Sequence, residues 1–446
     1  MHDYRRIADT VAGDIRSGRL RPGDRLPTQR AFARRRRIAD STAGRVYAEL
    51  VRRGLVVGEV GRGTFVRAAP EPESGRALAE PYGPSDAEVN LQLNYPCAPG
   101  QSELIAPALR ALTRPDVLAA ATRPAPADGT PAARAATAAL LTRAGWRPAP
   151  EQLLFAGNAR QAIAGTLSAL VRPGGRVGVE ALTYPLVKEI AARLSVQLVP
   201  LATDEAGLRP DALAAAHRSA PLGALYVQPT LQNPTSVTMP DGRRRQLAET
   251  ARELRLPIVE DRIWSFLHEG PEPPLAAYAP ERTHLIDGLS KRVAPGLTVG
   301  FVVAPDGRGE RVAEALRGGG WTASRFGLEA ATRWLGDGTV ARLVEAKRED
   351  AAARQRILAE CLAGQDVRAD PHGYFAWWRL PAPWRGETFA AAAAGRGIAL
   401  TEGAAFAIGA HSAPDAVRLG LATPAHDTLA YALGTLAELA ASDPLA

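Results

Sequence analysis

The chain has 446 residues, of which 46% are hydrophobic and 23% charged, and its formal net charge is +7. This length exceeds one ordinary domain, and the composition is that of a globular, soluble protein. Two cysteines are too few for a disulfide framework, and the sequence has no Cys-x-x-Cys or His-Glu-x-x-His metal spacing.

No stretch approaches the roughly 20 apolar residues that a membrane-spanning helix needs, and the first residues contain no apolar run. We therefore expect a cytoplasmic protein with no membrane partner and no metal site. Cys97 and Cys361 are expected to be buried small hydrophobic residues.

The positive charge is concentrated at the start of the chain. Residues 1–67 contain 16 arginines and seven acidic residues, a net charge of +9, which leaves −2 for the other 379 residues. A basic head on a near-neutral body is typical of a protein whose head binds a polyanion.

Apolar spacing predicts three short helices in this head, followed by a hairpin. The first helix contains Tyr4 to Ile15, the second starts after an N-cap at Thr28, and the third runs from Ser41 to Gly54. Residues 55–60 and 64–66 form the hairpin. Together these elements predict a winged helix-turn-helix whose third helix enters the major groove of DNA.

The head resembles the DNA-binding domain of GntR regulators. The resemblance rests on Pro22-Gly23, Leu26-Pro27, Arg30, Ala33, Thr42, Tyr47, Leu50, Gly54 and Gly61-Arg62-Gly63-Thr64-Phe65-Val66. It implies that Arg30 and Thr42, next to Ser41, contact phosphates and that Arg45 faces base edges or the backbone. The Arg62-Gly63 tip would reach the minor groove. An arginine common in the family aligns with Asp40, which removes one DNA contact.

Four consecutive arginines, Arg34, Arg35, Arg36 and Arg37, lie in the second helical segment. Taken alone, such a run is more often a solvated charged surface. Beside a recognition helix, we expect it to attract phosphates without sequence preference and to do so less strongly as salt rises.

Residues 69–88 are predicted to be a linker between the head, residues 1–68, and the body, residues 89–446. The segment carries four prolines and has no apolar periodicity. A connector of about 20 residues would permit the head to dock in more than one place, including on a partner subunit.

In the body, strand-like runs alternate with amphipathic helical runs, which predicts a three-layer α/β fold with a mostly parallel sheet. The predicted strands are 152–155, 176–179, 197–200, 224–227, 256–259, 285–286 and 299–303, and the predicted helices are 161–171, 185–194 and 243–254. A long helix over 342–362 leads into an α+β C-terminal lobe that begins near residue 338.

Only three lysines occur, against 51 arginines. Lys188 and Lys347 lie in helical patterns beside acidic residues and are predicted to be solvated. Lys291 follows a strand-like run and precedes a Pro-Gly turn, so a loop is expected to hold it at a strand end. A desolvated lysine can become a neutral amine and form a Schiff base, whereas an arginine cannot lose its proton.

Four segments resemble, in order and spacing, those of fold-type I pyridoxal-phosphate proteins, the aspartate-aminotransferase-like group: residues 180–185, 226–235, 259–264 and 287–300. Head and body together resemble the MocR-type subgroup of GntR regulators, in which a winged helix is joined to an aminotransferase-like domain. That resemblance covers nearly the full length. It implies pyridoxal 5′-phosphate as cofactor and a head-to-tail homodimer with each active site near the subunit interface.

The resemblance assigns the cofactor contacts. Lys291 supplies the amine, and Asp261 is the partner of the pyridine nitrogen. Asn233 donates to the phenolate oxygen O3′, and Tyr184 stacks on the ring. Each has a plain alternative: Asp261 as a strand-end capping acid, Asn233 as part of an Asn-Pro turn and Tyr184 as a core tyrosine.

The phosphate is expected at the start of a helix, where Asn158, Ala159 and Arg160 offer free backbone amides. Ser290 could add a hydroxyl. Arg418 matches the arginine that binds a substrate carboxylate by a bidentate pair, although a surface charge is the plain alternative.

Three departures from the family weaken the site. Trp264, which can stack on the ring but has no hydroxyl, replaces a tyrosine, and Thr298 replaces an arginine that anchors the phosphate. The aromatic residue expected before Gly129 is absent. Losing a charge-assisted phosphate contact costs about 1.5–3 kcal/mol, and Arg160 or Arg292 is a candidate replacement.

These features predict a transcriptional regulator that binds operator DNA and senses a small amine or amino acid by aldimine exchange at Lys291, without net turnover. Two alternatives stay open. One is a working aminotransferase that carries a DNA-binding head, and the other is a regulator whose degenerate site no longer binds the cofactor.

Overall fold

The computed structural model of the chain describes residues 4–16, 19–20, 24–53, 55–59, 63–66, 87–143, 145–409 and 413–442. The chain divides into two compact units, Met1–Ala79 and Glu80–Ala446. This division falls among residues 67–86, outside the described ranges, so the linker at 69–88 and the domain limits at 68 and 89 stay predictions. Within those ranges, no helix combines the length and apolarity that crossing a bilayer requires.

The N-terminal unit is the expected winged helix-turn-helix. Thr28 caps the second helix as predicted, because its Oγ1 accepts a hydrogen bond of 3.3 Å from the N–H of Ala31. The predicted turn residues Gly18, Pro22, Gly23, Gly54, Gly61 and Arg62 lie outside the described ranges. The elements are α1 (Tyr4–Arg16), α2 (Gln29–Arg36), α3 (Asp40–Arg52), β1 (Val56–Glu59) and β2 (Gly63–Val66).

The core of this unit is small and is completed by an ion-pair cluster. Phe32 of α2 packs edge-on against Tyr47 of α3, with ring centroids 5.4 Å apart. Glu49 of α3 is buried and pairs with Arg53 at 2.7 Å, and Arg53 also pairs with Asp9 of α1 at 2.8 Å. The cluster therefore ties the first helix to the third, which is the predicted recognition helix.

The body is a three-layer α/β unit with a smaller α+β lobe, as the sequence predicts. Its helices are α4 (Gln101–Leu112), α5 (Pro115–Ala121), α6 (Pro131–Leu141), α7 (Ala159–Leu170), α8 (Leu186–Arg193), α9 (Pro210–Ser219), α10 (Asp241–Glu253), α11 (Leu275–Tyr278), α12 (Gly309–Gly318), α13 (Arg325–Gly336), α14 (Thr339–Cys361), α15 (Gly386–Ala394) and α16 (His426–Ala441). Its strands are β3 (Val89–Asn90), β4 (Leu153–Ala156), β5 (Arg176–Glu180), β6 (Gln197–Leu201), β7 (Thr203–Asp204), β8 (Gly207–Leu208), β9 (Ala224–Val227), β10 (Ile258–Asp261), β11 (Thr283–Gly288), β12 (Gly300–Val303), β13 (Asp366–Ala369), β14 (Phe375–Arg379), β15 (Ile398–Ala399), β16 (Thr401–Glu402) and β17 (Ala416–Gly420).

The main sheet has seven strands in the order β4-β12-β11-β10-β9-β5-β6. Strand β12 is antiparallel to both of its neighbours, and the other pairings are parallel. The lobe has a four-stranded sheet in the order β13-β14-β17-β16. Strand β3 pairs with β15 of the lobe, so the first strand of the body packs with its C-terminal part.

Strand β10 begins two residues later than predicted. The N–H of Leu256 instead closes the preceding helix by donating 2.8 Å to the carbonyl of Ala251, and Pro257 has no N–H to give to the sheet.

Because side chains alternate along the strands, the two faces of the sheet pack against two different hydrophobic cores. Val259 and Ile286 belong to the cluster formed with α7, α8 and α12, whereas Leu285 and Phe301 belong to the cluster formed with α4, α6 and α13. Because side chains alternate, Asp261 lies on the face of Val259, and Asp287 lies on the opposite face.

Candidate functional site

The C-terminal ends of β9, β10 and β11 meet at one edge of the sheet, because the three strands are parallel neighbours. Asp261 is the last residue of β10, and Lys291 follows the end of β11 by three residues. Asn233 lies in the loop after β9. Such an edge is where open α/β sheets usually bind ligands.

Asp261 is fully buried and held by three donors. Its Oδ2 accepts hydrogen bonds from the Tyr226 hydroxyl (2.6 Å) and Gln228 Nε2 (3.0 Å), and its Oδ1 accepts one from the N–H of Ile263 (3.0 Å). Burial raises the pKa of Asp261, and the three hydrogen bonds only partly oppose the rise. A carboxylate held in this way gains from a cationic partner.

A second buried carboxyl, Glu180 at the end of β5, lies close to the first. The N–H of Gln228 donates to its Oε2 at 3.2 Å, and the side chain of Gln228 bonds to Asp261. Burial raises the pKa of Glu180 to about 8, which favours its neutral form at pH 7. Glu180 begins one of the four segments that carry the family resemblance, but the sequence does not indicate its raised pKa.

The Lys291 amine lies between two aromatic rings. Its Nζ is 4.4 Å from the ring centroid of Tyr95 and 5.1 Å from that of Trp264, and it donates a hydrogen bond of 2.9 Å to the carbonyl of Asn94. Sequence reasoning missed Asn94 and Tyr95, which are almost 200 positions from Lys291. The tripeptide Asn94-Tyr95-Pro96 gives no local signal for this contact.

Lys347 is fully buried on α14, so its predicted solvation is wrong. Its Nζ donates to the carbonyls of Lys291 (3.0 Å), Arg292 (3.0 Å) and Val293 (2.8 Å). The acidic neighbours of Lys347 suggested a solvated face, but they lie on other sides of the helix. Lys188 is half-buried and donates 2.5 Å to the carbonyl of Ala405, so it also differs from the prediction.

The N-terminus of α7 faces the turn before β12. Asn158 caps the helix, its Oδ1 accepting 2.9 Å from the N–H of Gln161. A Cβ on Gly300 would lie 2.4 Å from the carbonyl carbon and oxygen of Asn158 and 2.8 Å from the nitrogen of Ala159. Because residue 300 is glycine, β12 can lie close to the Asn158–Ala159 peptide and fix its position. The next residue, Arg160, is half-buried.

Several buried polar atoms near these loops have no hydrogen-bond partner among the described residues; they include Oδ1 of Asn233 and Oγ1 of Thr298. Tyr184 is half-buried and packs against the core that contains Val259. Ser290 is half-buried next to Lys291. A buried polar atom without a partner needs an explanation, and a bound polar ligand is one.

The structure corrects the expectation for Arg292. Its guanidinium forms two hydrogen bonds with the carboxylate of Asp287, one of them from Nη2 to Oδ2 at 2.8 Å, and it also donates 2.9 Å to the carbonyl of Gly288. Asp287 lies on the sheet face opposite Asp261, so Arg292 points away from the other candidate contacts. It is therefore not a replacement for the missing phosphate anchor.

Arg418 on β17 and Lys291 both donate hydrogen bonds to the short segment of residues 92–94. It donates 2.5 Å to the carbonyl of Gln92 and lies 5.7 Å from the ring centroid of Phe406. The carbonyl of Asn94, two residues after Gln92, accepts the hydrogen bond from Lys291. The structure thus brings Arg418 to the same side of the body as Lys291, and Arg418 is not a surface charge because it is 8% exposed.

The cysteines differ from expectation, since Cys97 is exposed and Cys361 is half-buried. Cys97 lies in the turn that precedes α4. Among the described residues, no group of His, Cys, Asp and Glu side chains has the arrangement of a metal site.

Most of the predicted DNA contacts on and next to α2 and α3 are exposed. The residues Arg30, Arg34, Arg35, Arg36, Arg37, Ser41 and Arg45 are exposed, and Thr42 is half-buried. Gly63 has φ +123°, and a Cβ there would meet the Arg25 guanidinium at 2.7 Å. Arg62 lies outside the described residues.

Residues 3–66 match the family described as bacterial regulatory proteins, gntR family. The chain is 29% identical over 425 residues to the uncharacterized HTH-type transcriptional regulator YdeF of Bacillus subtilis, covering 94% of this chain and 90% of YdeF. It is 28% identical over 369 residues to the HTH-type pyridoxine biosynthesis transcriptional regulator PdxR of Corynebacterium glutamicum, covering 80% of this chain and 78% of PdxR.

The body also matches solved structures. The kynurenine aminotransferase of Pyrococcus horikoshii, crystallised in complex with PMP, superposes with a TM-score of 0.73 at 23% identity, covering 80% of this chain and 91% of that chain. This likeness establishes an aminotransferase fold for the body.

Proposed function

We propose that this chain, a GntR-family transcriptional regulator with the aminotransferase-like body of the MocR type, holds pyridoxal 5′-phosphate on Lys291 and senses a small amine or amino acid there. The observation that carries the proposal is the placement of the Lys291 amine, between Tyr95 and Trp264, at the sheet edge where Asp261 ends β10.

The residues at the ring end fit this cofactor. Asp261 is a buried carboxyl group with the acceptor capacity for a pyridinium N–H, and the raised pKa of Glu180 favours its neutral form. Asn233 is assigned to O3′, and Tyr184 and Trp264 to the ring faces. When bound, the cofactor supplies an electrophilic aldehyde carbon to which an amine attaches.

The contacts proposed for the phosphate group are weaker than those proposed for the ring. Asn158 and Ala159 present backbone N–H groups at the N-terminus of α7, and Arg160 and Ser290 are assigned to the phosphate oxygens. Thr298 offers one hydroxyl at the position where the family resemblance predicts an arginine. We expect the affinity to be lower by one to two decades than with that arginine, about 1.5–3 kcal/mol.

Arg418 is assigned to the carboxylate of an amino-acid effector. Binding there would replace its hydrogen bond to Gln92, and that segment also carries the carbonyl that accepts from Lys291. Effector capture is therefore proposed to move residues 92–94 and the lobe strand β17 together.

In the head, Arg30, Ser41 and Thr42 are assigned to phosphates of double-stranded operator DNA, Arg45 to base edges or backbone, and Arg62 and Gly63 to the minor groove. Arg34, Arg35, Arg36 and Arg37 are assigned to sequence-independent attraction. Two heads in a head-to-tail homodimer would bind two half-sites, and the effector would change how they sit on DNA.

The test is a visible spectrum of the purified protein with and without added pyridoxal phosphate, followed by a panel of amino acids and an operator-binding assay. A yellow band that is absent in Lys291→Ala, that shifts with one effector and that changes DNA affinity supports a sensor. Steady keto-acid formation would favour an aminotransferase instead, and no band at saturating cofactor would favour a regulator that has lost it.

A further inference from the structure

A cavity of about 440 Å³ lies on the sheet face opposite Asp261. It is bounded by α6, the end of α13 and the start of α14, and its walls include Ala139, Leu140, Val340 and Val344. Ligand sites in proteins typically have volumes of roughly 300–1,000 Å³ and mostly apolar walls, so the cavity is large enough for a small organic molecule.

The polar lining of the cavity is mainly cationic. It contains the guanidinium groups of Arg143, Arg262 and Arg292 but only one carboxylate, that of Asp287. Arg292 uses Asp287 as its partner. The two other arginines therefore face a cavity that supplies no second negative charge.

Arg262 is the more buried of these two, with 6% of its surface exposed. Its Nε is buried and has no hydrogen-bond partner among the described residues. Glu260, two residues earlier on the same face, attracts it but binds the N–H of Ala276 instead. A buried guanidinium with an unused donor is stabilised by an anion that can reach it.

Arg143, which follows α6 and also lines the cavity, is half-buried. Burial lowers its pKa, and repulsion from Arg262, Arg348 and Arg292 lowers it further, opposed by Asp287. Arg348 has its own partner, Glu269 at 3.0 Å, with Glu345 at 3.8 Å. Arg348 does not line the cavity; the charged residues that do, taken together with Glu260, are three arginines and two carboxylates.

We propose that this cavity is a second ligand site, for a small organic anion with an apolar body, in which Arg143 and Arg262 bind a carboxylate and the walls from α6 and α14 cover a hydrocarbon chain. The site does not use the Lys291 amine. Both its charge and its walls come from residues that the cofactor proposal leaves unused.

Isothermal titration calorimetry of the full chain, saturated with pyridoxal phosphate, tests this with octanoate as the probe. Octanoate is expected to bind at one site per chain, and octanol and inorganic phosphate are expected to bind at least about tenfold more weakly. Equal affinity for phosphate would mean that the walls contribute nothing, and it would overturn the proposal.

Variants locate the site. Arg143→Gln should weaken octanoate at least about tenfold, since a charge-assisted bidentate contact is lost, and Ala139→Trp should block it by filling the cavity without changing charge. Arg317→Gln is the matched control, because Arg317 is an exposed arginine paired with Glu310. Unchanged binding in both cavity variants would overturn the proposal.

Two further variants distinguish failure of the second ligand site from failure of the cofactor proposal. Octanoate binding should be unchanged in Lys291→Ala and in Arg418→Gln. A large loss in Arg418→Gln would place the anion at the effector site and overturn the second site.

Discussion

The amine of Lys347 donates a hydrogen bond of 3.0 Å to the main-chain carbonyl of Lys291. The same amine also holds the two following carbonyls, and it is fully buried. A lysine on α14 therefore fixes the loop that presents the candidate reactive lysine, and it acts as a positioning residue.

Lys347→Met should loosen this loop. Three buried carbonyls lose their donor, so we expect the free energy of unfolding to fall by at least about 2 kcal/mol and the Kd for pyridoxal phosphate to rise at least about tenfold, measured well below the melting temperature. Glu349→Gln, exposed on the same helix, is the control. If the melting temperature falls while the cofactor Kd is unchanged, Lys347 is only structural.

Gly300→Ala should displace the peptide between Asn158 and Ala159, because the new methyl group would lie 2.4 Å from Asn158. We expect a loss of stability of about 1–3 kcal/mol from overpacking and weaker cofactor binding, measured by fluorescence titration. Gly296→Ala is the matched control in the same loop, since a Cβ there meets nothing within 4 Å. Equal affinity in the two variants would exclude the helix terminus as the phosphate site.

Glu49→Gln should loosen the head. Burial alone would raise the pKa of Glu49, but hydrogen bonds from Arg52 and Arg53 lower it overall, so its charged form stabilises the fold. At pH 7 we expect the free energy of opening of α1 and α3 in the full chain to fall by about 1–2 kcal/mol. This fall is measured as faster amide hydrogen exchange. The difference from the wild type should shrink as the pH falls through and below the pKa of an unfolded glutamate. Identical protection at pH 7 would contradict this role.

His284 predicts a pH dependence for the body. Burial in β11 lowers its pKa from 6.5 to about 4, so below pH 6.5 the unfolded chain takes up a proton that the folded chain refuses. Stability should fall between pH 6.5 and 4 by about 3 kcal/mol, and His284→Leu should remove most of that slope in thermal unfolding. His268→Gln, at a half-exposed ion pair, should keep it.

Local sequence predicts only where Asp261 and Lys291 lie in the fold. Each follows an apolar strand-like run, and the structure has both at the C-terminal edge of the parallel strands. Their roles toward a cofactor come from the family resemblance and stay predictions. The cap at Thr28 was found because a hydroxyl residue before a helical pattern has a local physical reason.

The contacts that sequence reasoning missed are non-local. The carbonyl of Asn94 and the ring of Tyr95 reach Lys291 only because β3 joins the C-terminal lobe. Lys347 looked solvated because its acidic neighbours are adjacent in sequence, whereas its own side of α14 packs on the Lys291 loop. Arg292 was misplaced because the expectation did not follow the strand alternation that puts Asp287 on the opposite face.

Whether Lys291 carries the cofactor is measured by reducing the protein with borohydride in saturating pyridoxal phosphate and locating the adduct by peptide mass spectrometry. We expect one phosphopyridoxyl group per chain, on Lys291, and none in Lys291→Ala. No adduct, or an adduct on Lys188 or Lys347 instead, would show that Lys291 does not hold the cofactor.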